Sequence, residues 1–242
     1  MAQPPPIPAQ VSTSAQDATN AFFKRSLQLY NDHVVNTLST DPNDPAATQT
    51  VQTLIAQLNY NYQALDHLIN AIQARIYRDV NWVNAALAIY NKLSATIPPN
   101  FSAPGTDMKG ACLVQHFMMK ALQTQFDATM AQSLWSVGLV AFLGRLGASR
   151  QILGSLTPGI AFHILDEMVK SERLFSGQNF DICLDFILLV GSFLDAGHVE
   201  LFSHRLQHLQ DRATGRSTVA WMAVCWLLRL RKFDWSVGAA AV

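Results

Sequence analysis

Apolar residues recur along most of the chain at helical rather than strand spacing. Val51, Leu54, Ile55 and Leu58 stand at i, i+3, i+4 and i+7, one face of a helix over Thr48–Leu58. Leu65, Leu68, Ile69, Ile72 and Ile76 mark a second such face over Tyr62–Arg78. Phe22, Leu27, Leu29 and Val34 predict a helix over Asp17–Leu38. Further helices are expected at Trp82–Thr96, at Asp107–Met130 with Asp107 as N-cap, and at Ser133–Leu146. Thr157 followed by Pro158 is an N-cap with proline at N1, which starts a helix over Pro158–Ser171. Asn179–Ala196 and His198–Asp211 read as two helices hinged at Gly197, and Ser217–Lys232 as the last. No segment alternates with period two over a bounded run, so the expected fold is all-α.

The prolines agree with these elements. Pro4, Pro5, Pro6 and Pro8 lie in the head, Pro42 and Pro45 in DPNDP, Pro98, Pro99 and Pro104 in IPPNFSAPG, and Pro158 alone follows. Proline is tolerated between helices and expelled from their interiors. First helices of successive pairs fall near residues 48, 82, 132, 180 and 217, in steps of 34, 50, 48 and 37. These bracket the ~40–47-residue period of two-helix solenoid repeats, which stack because one pair cannot bury its apolar face alone. Residues 1–16, rich in Pro, Gln, Ser and Ala, read as a disordered head.

Composition narrows the function. Among 242 residues, 17 Lys and Arg balance 17 Asp and Glu, and half the residues are hydrophobic. A large core fits this balance, whereas a protein that lives by gripping nucleic acid does not. Three dispersed cysteines, Cys112, Cys183 and Cys225, speak for a reducing compartment rather than a disulfide scaffold. The head has neither a basic n-region nor an apolar h-region, so it does not read as a signal peptide. Ser133–Gly144 and Phe186–Leu194 fall short of the roughly 18 uncharged residues of a membrane span, so none is expected.

No catalytic constellation emerges, and no enzyme, metal or cofactor is expected. His204 and His208 stand four apart in HRLQH, but Arg205 occupies the place a zincin gives to Glu, so they read as a solvated face. Gly138, Gly144 and Gly147 lack the Gly-Lys-Ser/Thr of a phosphate loop and read as close helix packing. Asp166 with Glu167, and Asp181 with Asp185, are unremarkable acidic pairs, the latter suited to a helix N-terminus. Cys112 and His116 read as core rather than as nucleophile and base. Trp135, Trp221 and Trp226 fall in apolar helices and read as core. Trp82 and Trp235 sit beside polar residues at helix edges, where each is either an interface anchor or a core cap. From Leu201 onward, Arg205, Arg212, Arg216, Arg229, Arg231 and Lys232 outweigh Asp211 and Asp234, a basic end suited to an acidic partner or to RNA phosphate.

Several phrases in order make residues 48–237 resemble the middle domain of eukaryotic initiation factor 4G. ALDHLINAIQARIYRDVNWVNAALAIYNKLS is similar to its second repeat entry, with Asn81 and Trp82 at its Asn-Phe positions. MKGACLVQHFMMKALQTQFD resembles its long helix, VGLVAFLGRLG and ILGSLTPGIAFHILDEMV the two segments after it, and DICLDFILLVGSFLDAG a later one. RSTVAWMAVCWLLRLRKFDW looks like its closing helix, with Leu230, Arg231 and Trp235 in the Leu-Arg-to-Trp ending. Leu139, Ala141, Arg145 and Trp226 depart from the family pattern, and Tyr30 is not followed by its cap-binding-partner motif.

The resemblance implies a HEAT-like α-solenoid of about five antiparallel helix pairs forming a crescent. The divisions are then a head at 1–16, an N-terminal helix and linker at 17–46, a middle domain at 47–237 and a tail at 238–242. It implies a cytoplasmic, non-enzymatic scaffold of translation initiation that holds both lobes of a DEAD-box RNA helicase of the initiation factor 4A type, with mRNA as a second partner. The expected helicase contacts are Asn81 and Trp82 at one end and Arg229, Arg231 and Trp235 at the other. Arg205, Arg212, Arg216 and Lys232 are the candidate RNA contacts. The alternatives are a same-fold scaffold of mRNA decay, surveillance or cap-binding complexes, and a direct RNA-binding protein.

Overall fold

The computed structural model describes residues 21, 25, 28–58, 60–148 and 157–236. The expected head and tail, and the glycine-bearing segment 149–156, lie outside them. Among the described residues the chain is all-α, and its one β feature is an isolated bridge between Ser102 and Lys109. The helices are α1 (28–37), α2 (Pro45–Gln57), α3 (Tyr62–Arg78), α4 (Val83–Thr96), α5 (Ala111–Met130), α6 (Val137–Ala148), α7 (Pro158–Lys170), α8 (Asn179–Thr214) and α9 (Thr218–Lys232). A 3₁₀ turn, Val80–Trp82, leads into α4.

Local chemistry sets the boundaries. Thr157 caps α7 with proline at N1, as its sequence predicts, and Ser217 caps α9 by accepting the Ala220 N–H. α2 begins at Pro45 rather than Thr48, because Asp44 accepts the Ala46 N–H and proline needs no donor at N1. Asp107 does not cap α5. The Ser102–Lys109 bridge holds residue 109 outside the helix, and Gly110, at φ +53°, turns the chain into it. α6 begins at Val137 rather than Ser133, because Ser136 Oγ accepts the Leu139 N–H while donating to the Tyr77 carbonyl at 2.7 Å. The two helices expected on either side of Gly197 are present as the two arms of α8, which break at His198 (φ −144°, ψ 41°), one residue beyond the expected glycine hinge.

The helices stack in chain order, with substantial contacts only between elements up to three apart. α2 packs on α4, α3 on α5 and α6, α4 on α5 and α6, α6 on α8, α7 on α8, and α8 on α9. One continuous core runs from Val35 and Leu38 to Leu227. Phe142, Tyr90, Phe186 and Phe202 are among its fully buried aromatics. Asn179, fully buried, ties two loops together: its carbonyl oxygen accepts the Trp135 N–H, and its amide donates to the Ser133 and Arg173 carbonyls.

α8 holds an 18-residue window of mean hydropathy 1.7, long and apolar enough to cross a bilayer by length and composition alone. Its apolar residues Ile182, Cys183, Phe186, Ile187, Val190 and Leu194 are buried in the core instead.

Gly138 permits the closest helix approach. A β-carbon there would collide with the Ile76 carbonyl oxygen, whereas one on Gly197 would meet nothing within 4 Å. Gly138→Ala is expected to lower the melting temperature by roughly 4 °C or more. Gly197→Ala should leave it unchanged or raise it, since alanine is the better helix former. Thermal melts followed by circular dichroism at 222 nm check both.

Candidate functional site

The N-terminal candidate is built around the 3₁₀ turn. Asp79 accepts the Asn81 N–H at 3.1 Å, which fixes the turn and leaves the Asn81 side chain exposed. Trp82, by contrast, is 0% exposed. Its Nε1–H donates to the Ser39 carbonyl at 3.0 Å, and the Arg75 guanidinium lies over its ring at 4.3 Å. Arg75 Nη1 donates to the Val35 and Leu38 carbonyls at the end of α1. Burial lowers the Arg75 pKa and Asp79 opposes that shift. Trp82 therefore caps the core and seals the end of α1. It cannot enter a partner pocket, and the anchor role expected of it is withdrawn.

The C-terminal candidate centres on Asp195, just before the kink in α8. Arg231 grips it with Nε at 2.9 Å and Nη2 at 2.6 Å, and Nη2 also donates to the Val199 carbonyl. Trp235 Nε1–H donates to the other carboxylate oxygen at 2.8 Å. Asp234 and Trp235 both take positive φ, which turns the chain back so that Trp235 packs on Phe202 and over Gly191. A β-carbon on Gly191 would come within 2.6 Å of the indole. Arg231 and Trp235 are thus half-buried and engaged with their own chain. They staple the end of α9 to the kink rather than standing free as contact residues.

The candidate RNA residues divide in the same way. Arg205 makes a fork with Asp166 at 3.1 and 3.0 Å, and Arg212 donates to the Val169 and Ser171 carbonyls at the end of α7. Arg216, Arg229 and Lys232 are exposed. Arg216 lies over Phe175 at 5.5 Å, in a groove lined also by Phe180, Val219, Ala220, Ala223 and Asp181.

Trp135 is buried as expected, but Trp221 and Trp226 are not core. They are 41% and 44% exposed on the outer arc of α9, beside exposed Val219, Met222 and Phe233. The helix buries Ala220, Val224, Leu227 and Leu230 against α8. At 100° per residue, the signal for Trp226 was its angular distance from Val224 and Leu227, whereas Trp221 lies about 60° from Val224 and its exposure was not legible from the spacing.

His204 and His208 are exposed, and among the described residues no group of three or more His, Cys, Asp or Glu is arranged to hold a metal. Burial, and next the charge of Asp181, push the Asp185 carboxyl above its ordinary value. Cys112 is exposed rather than core, Cys225 is half-buried, and Cys183 is buried with its thiol pushed up to about 12 by desolvation.

Trp82→Ala should cost about 3–5 kcal/mol of folding stability, as expected of a buried aromatic, and denaturant unfolding measures it. At pH 8 a thiol reagent should modify Cys112 quickly and Cys183 only in denaturant. Cys183 and the buried Tyr90 phenol, both raised by burial, hold protons in the folded state that the unfolded chain releases. Their contribution is fully present below the ordinary thiol value of 9.0 and is lost as pH rises toward about 12, which denaturant midpoints against pH would trace.

No family model, no curated protein and no solved structure matches this chain.

Proposed function

We propose that the chain is a non-enzymatic helical scaffold of cytoplasmic translation initiation that binds a DEAD-box RNA helicase of the initiation factor 4A type and contacts both of its lobes. The observation that carries this reading is the chain-order stacking. Helices that pack only on near neighbours build a body whose first and last elements are different surfaces, which two-lobed clamping requires. A body that binds one lobe arrangement better than the others shifts the helicase population toward it. The phrases resembling the initiation factor 4G middle domain supply the choice of partner.

The contact residues consistent with the geometry are Asn81 at one end and Arg229 at the other, both exposed. Direct RNA binding is a second reading, supported by the exposure of Arg216, Arg229 and Lys232.

RNA-dependent ATP hydrolysis by a purified helicase of this type, with and without the chain, tests the proposal. A saturable rise in kcat is expected, reduced by the pair Asn81→Ala and Arg229→Glu with melting unchanged. The absence of both binding and stimulation overturns it. Salt-sensitive capture of single-stranded RNA without helicase, lost on Arg216→Ala with Lys232→Ala, would favour the second reading.

A further inference from the structure

The outer arc of α9 forms a track. Arg216 stands just before the helix, Arg229 and Lys232 lie in its last turn, and Val219, Met222, Trp221 and Trp226 lie between them. Arg216 and Arg229 are 13 positions apart, about 20 Å at helical rise, or roughly four turns of a partner helix. From Thr218 to Lys232, α9 carries no Asp or Glu. Arg229 and Lys232 suit the negative end of the helix dipole, but no carboxylate of the chain pairs with them among the described residues. Arg231, on the inner side, is held by Asp195. Beyond Val219 the track opens into the groove lined by the stacked rings of Phe175 and Phe180, where Asp181 is the one carboxylate.

From this arrangement we infer that the outer face of α9 docks an amphipathic helix of another protein that is apolar at its centre and acidic at both ends. The interaction shares Arg229 with the proposed helicase contact but does not require the helicase to be present. Val219, Met222, Trp226 and Arg229, at i, i+3, i+7 and i+10, share one strip of α9 and offer adaptable contact area, and tryptophan and arginine are the residue types that most often anchor interfaces. A second copy of this chain fits less well. The α9 of a second copy carries no Asp or Glu between Thr218 and Lys232 to meet these cations. RNA also fits less well, because three cations are few for following a phosphate backbone.

The test titrates the full chain, without helicase, into a labelled peptide of about 18 residues with Leu at i, i+3, i+4 and i+7 and Glu at both ends. A second peptide carries Lys in place of each Glu. The Glu peptide should bind saturably and more weakly at high salt. Trp226→Ala and Arg229→Glu should each raise its Kd by at least about tenfold while melting stays unchanged, both side chains being on the exposed arc. The double variant R229E/K232E should prefer the Lys peptide, and this reversal holds even if Trp226→Ala perturbs folding.

Three outcomes overturn the inference. One is no saturable binding of the Glu peptide, or binding indifferent to Trp226 and Arg229. Another is Trp226-dependent self-association in sedimentation, which would give the face to a second copy. The third is Trp226-dependent binding of oligouridylate that the Glu peptide cannot displace. Loss of helicase stimulation with peptide binding intact would count against the proposed function alone.

Discussion

Arginine side chains laid across the C-terminal ends of helices hold this stack together. The last carbonyls of a helix have no intrahelical donors and carry the negative end of its dipole. Arg75 of α3 serves Val35 and Leu38 at the end of α1, Arg173 serves Ala131 just past α5, and Arg212 of α8 serves Val169 and Ser171 at the end of α7. Each bridges elements about 40 residues apart in sequence. A hydrogen bond to a charged donor is worth about 1.5–3 kcal/mol, and a buried carbonyl left alone costs about 1–3 kcal/mol. Desolvation works against this arrangement, as the lowered Arg75 pKa shows. Two carbonyls, Asp79 and the face of Trp82 offset it.

The same device explains why a basic C-terminal end was a poor guide to partner contacts. Of the six cations after Leu201, Arg205, Arg212 and Arg231 are committed to Asp166, to the end of α7 and to Asp195. Charge counted along a sequence does not separate a guanidinium aimed at a neighbouring helix from one aimed at solvent, because the acceptors come from segments 36 to 43 positions away. Periodicity was far more legible. Tyr62–Arg78 was bounded to the residue by its spacing, and Thr157 and Ser217 act as the caps their side chains suggest. Asp107 failed as a cap because the Ser102–Lys109 bridge around it outweighed its capping preference. Trp221 and Trp226 were misassigned because α9 is apolar around most of its circumference, which hides which side is buried.

The kink in α8 links packing to the surface at the C-terminal end. Up to Leu194 the helix is a core rod, its apolar face against α6 and α7. At His198 the backbone leaves helical geometry, and the Val199 carbonyl then accepts both Arg231 and the Ser203 hydroxyl. Asp195 gathers Arg231 and Trp235 on the same stretch, so the end of α9 is fixed where α8 bends. Gly191 makes room for the indole, and Trp235 in turn donates its own N–H to the Leu230 carbonyl and finishes α9.

A helix that packs on one side ordinarily turns polar residues to water on the other. α9, the last helix among the described residues, departs from that rule. Its inner positions Ala220, Val224 and Leu227 would serve a terminal helix with any polar outer face, yet Val219, Trp221, Met222 and Trp226 stand outward. Core packing does not require these four. Large aromatics at solvent positions contribute little to folding, and their contiguity raises the tendency to associate. Arg229 and Lys232 stand on the same arc, and α9 carries no carboxylate to offset them. An apolar strip beside uncompensated cations discriminates between partners by charge, favouring a surface of opposite sign over another copy of itself.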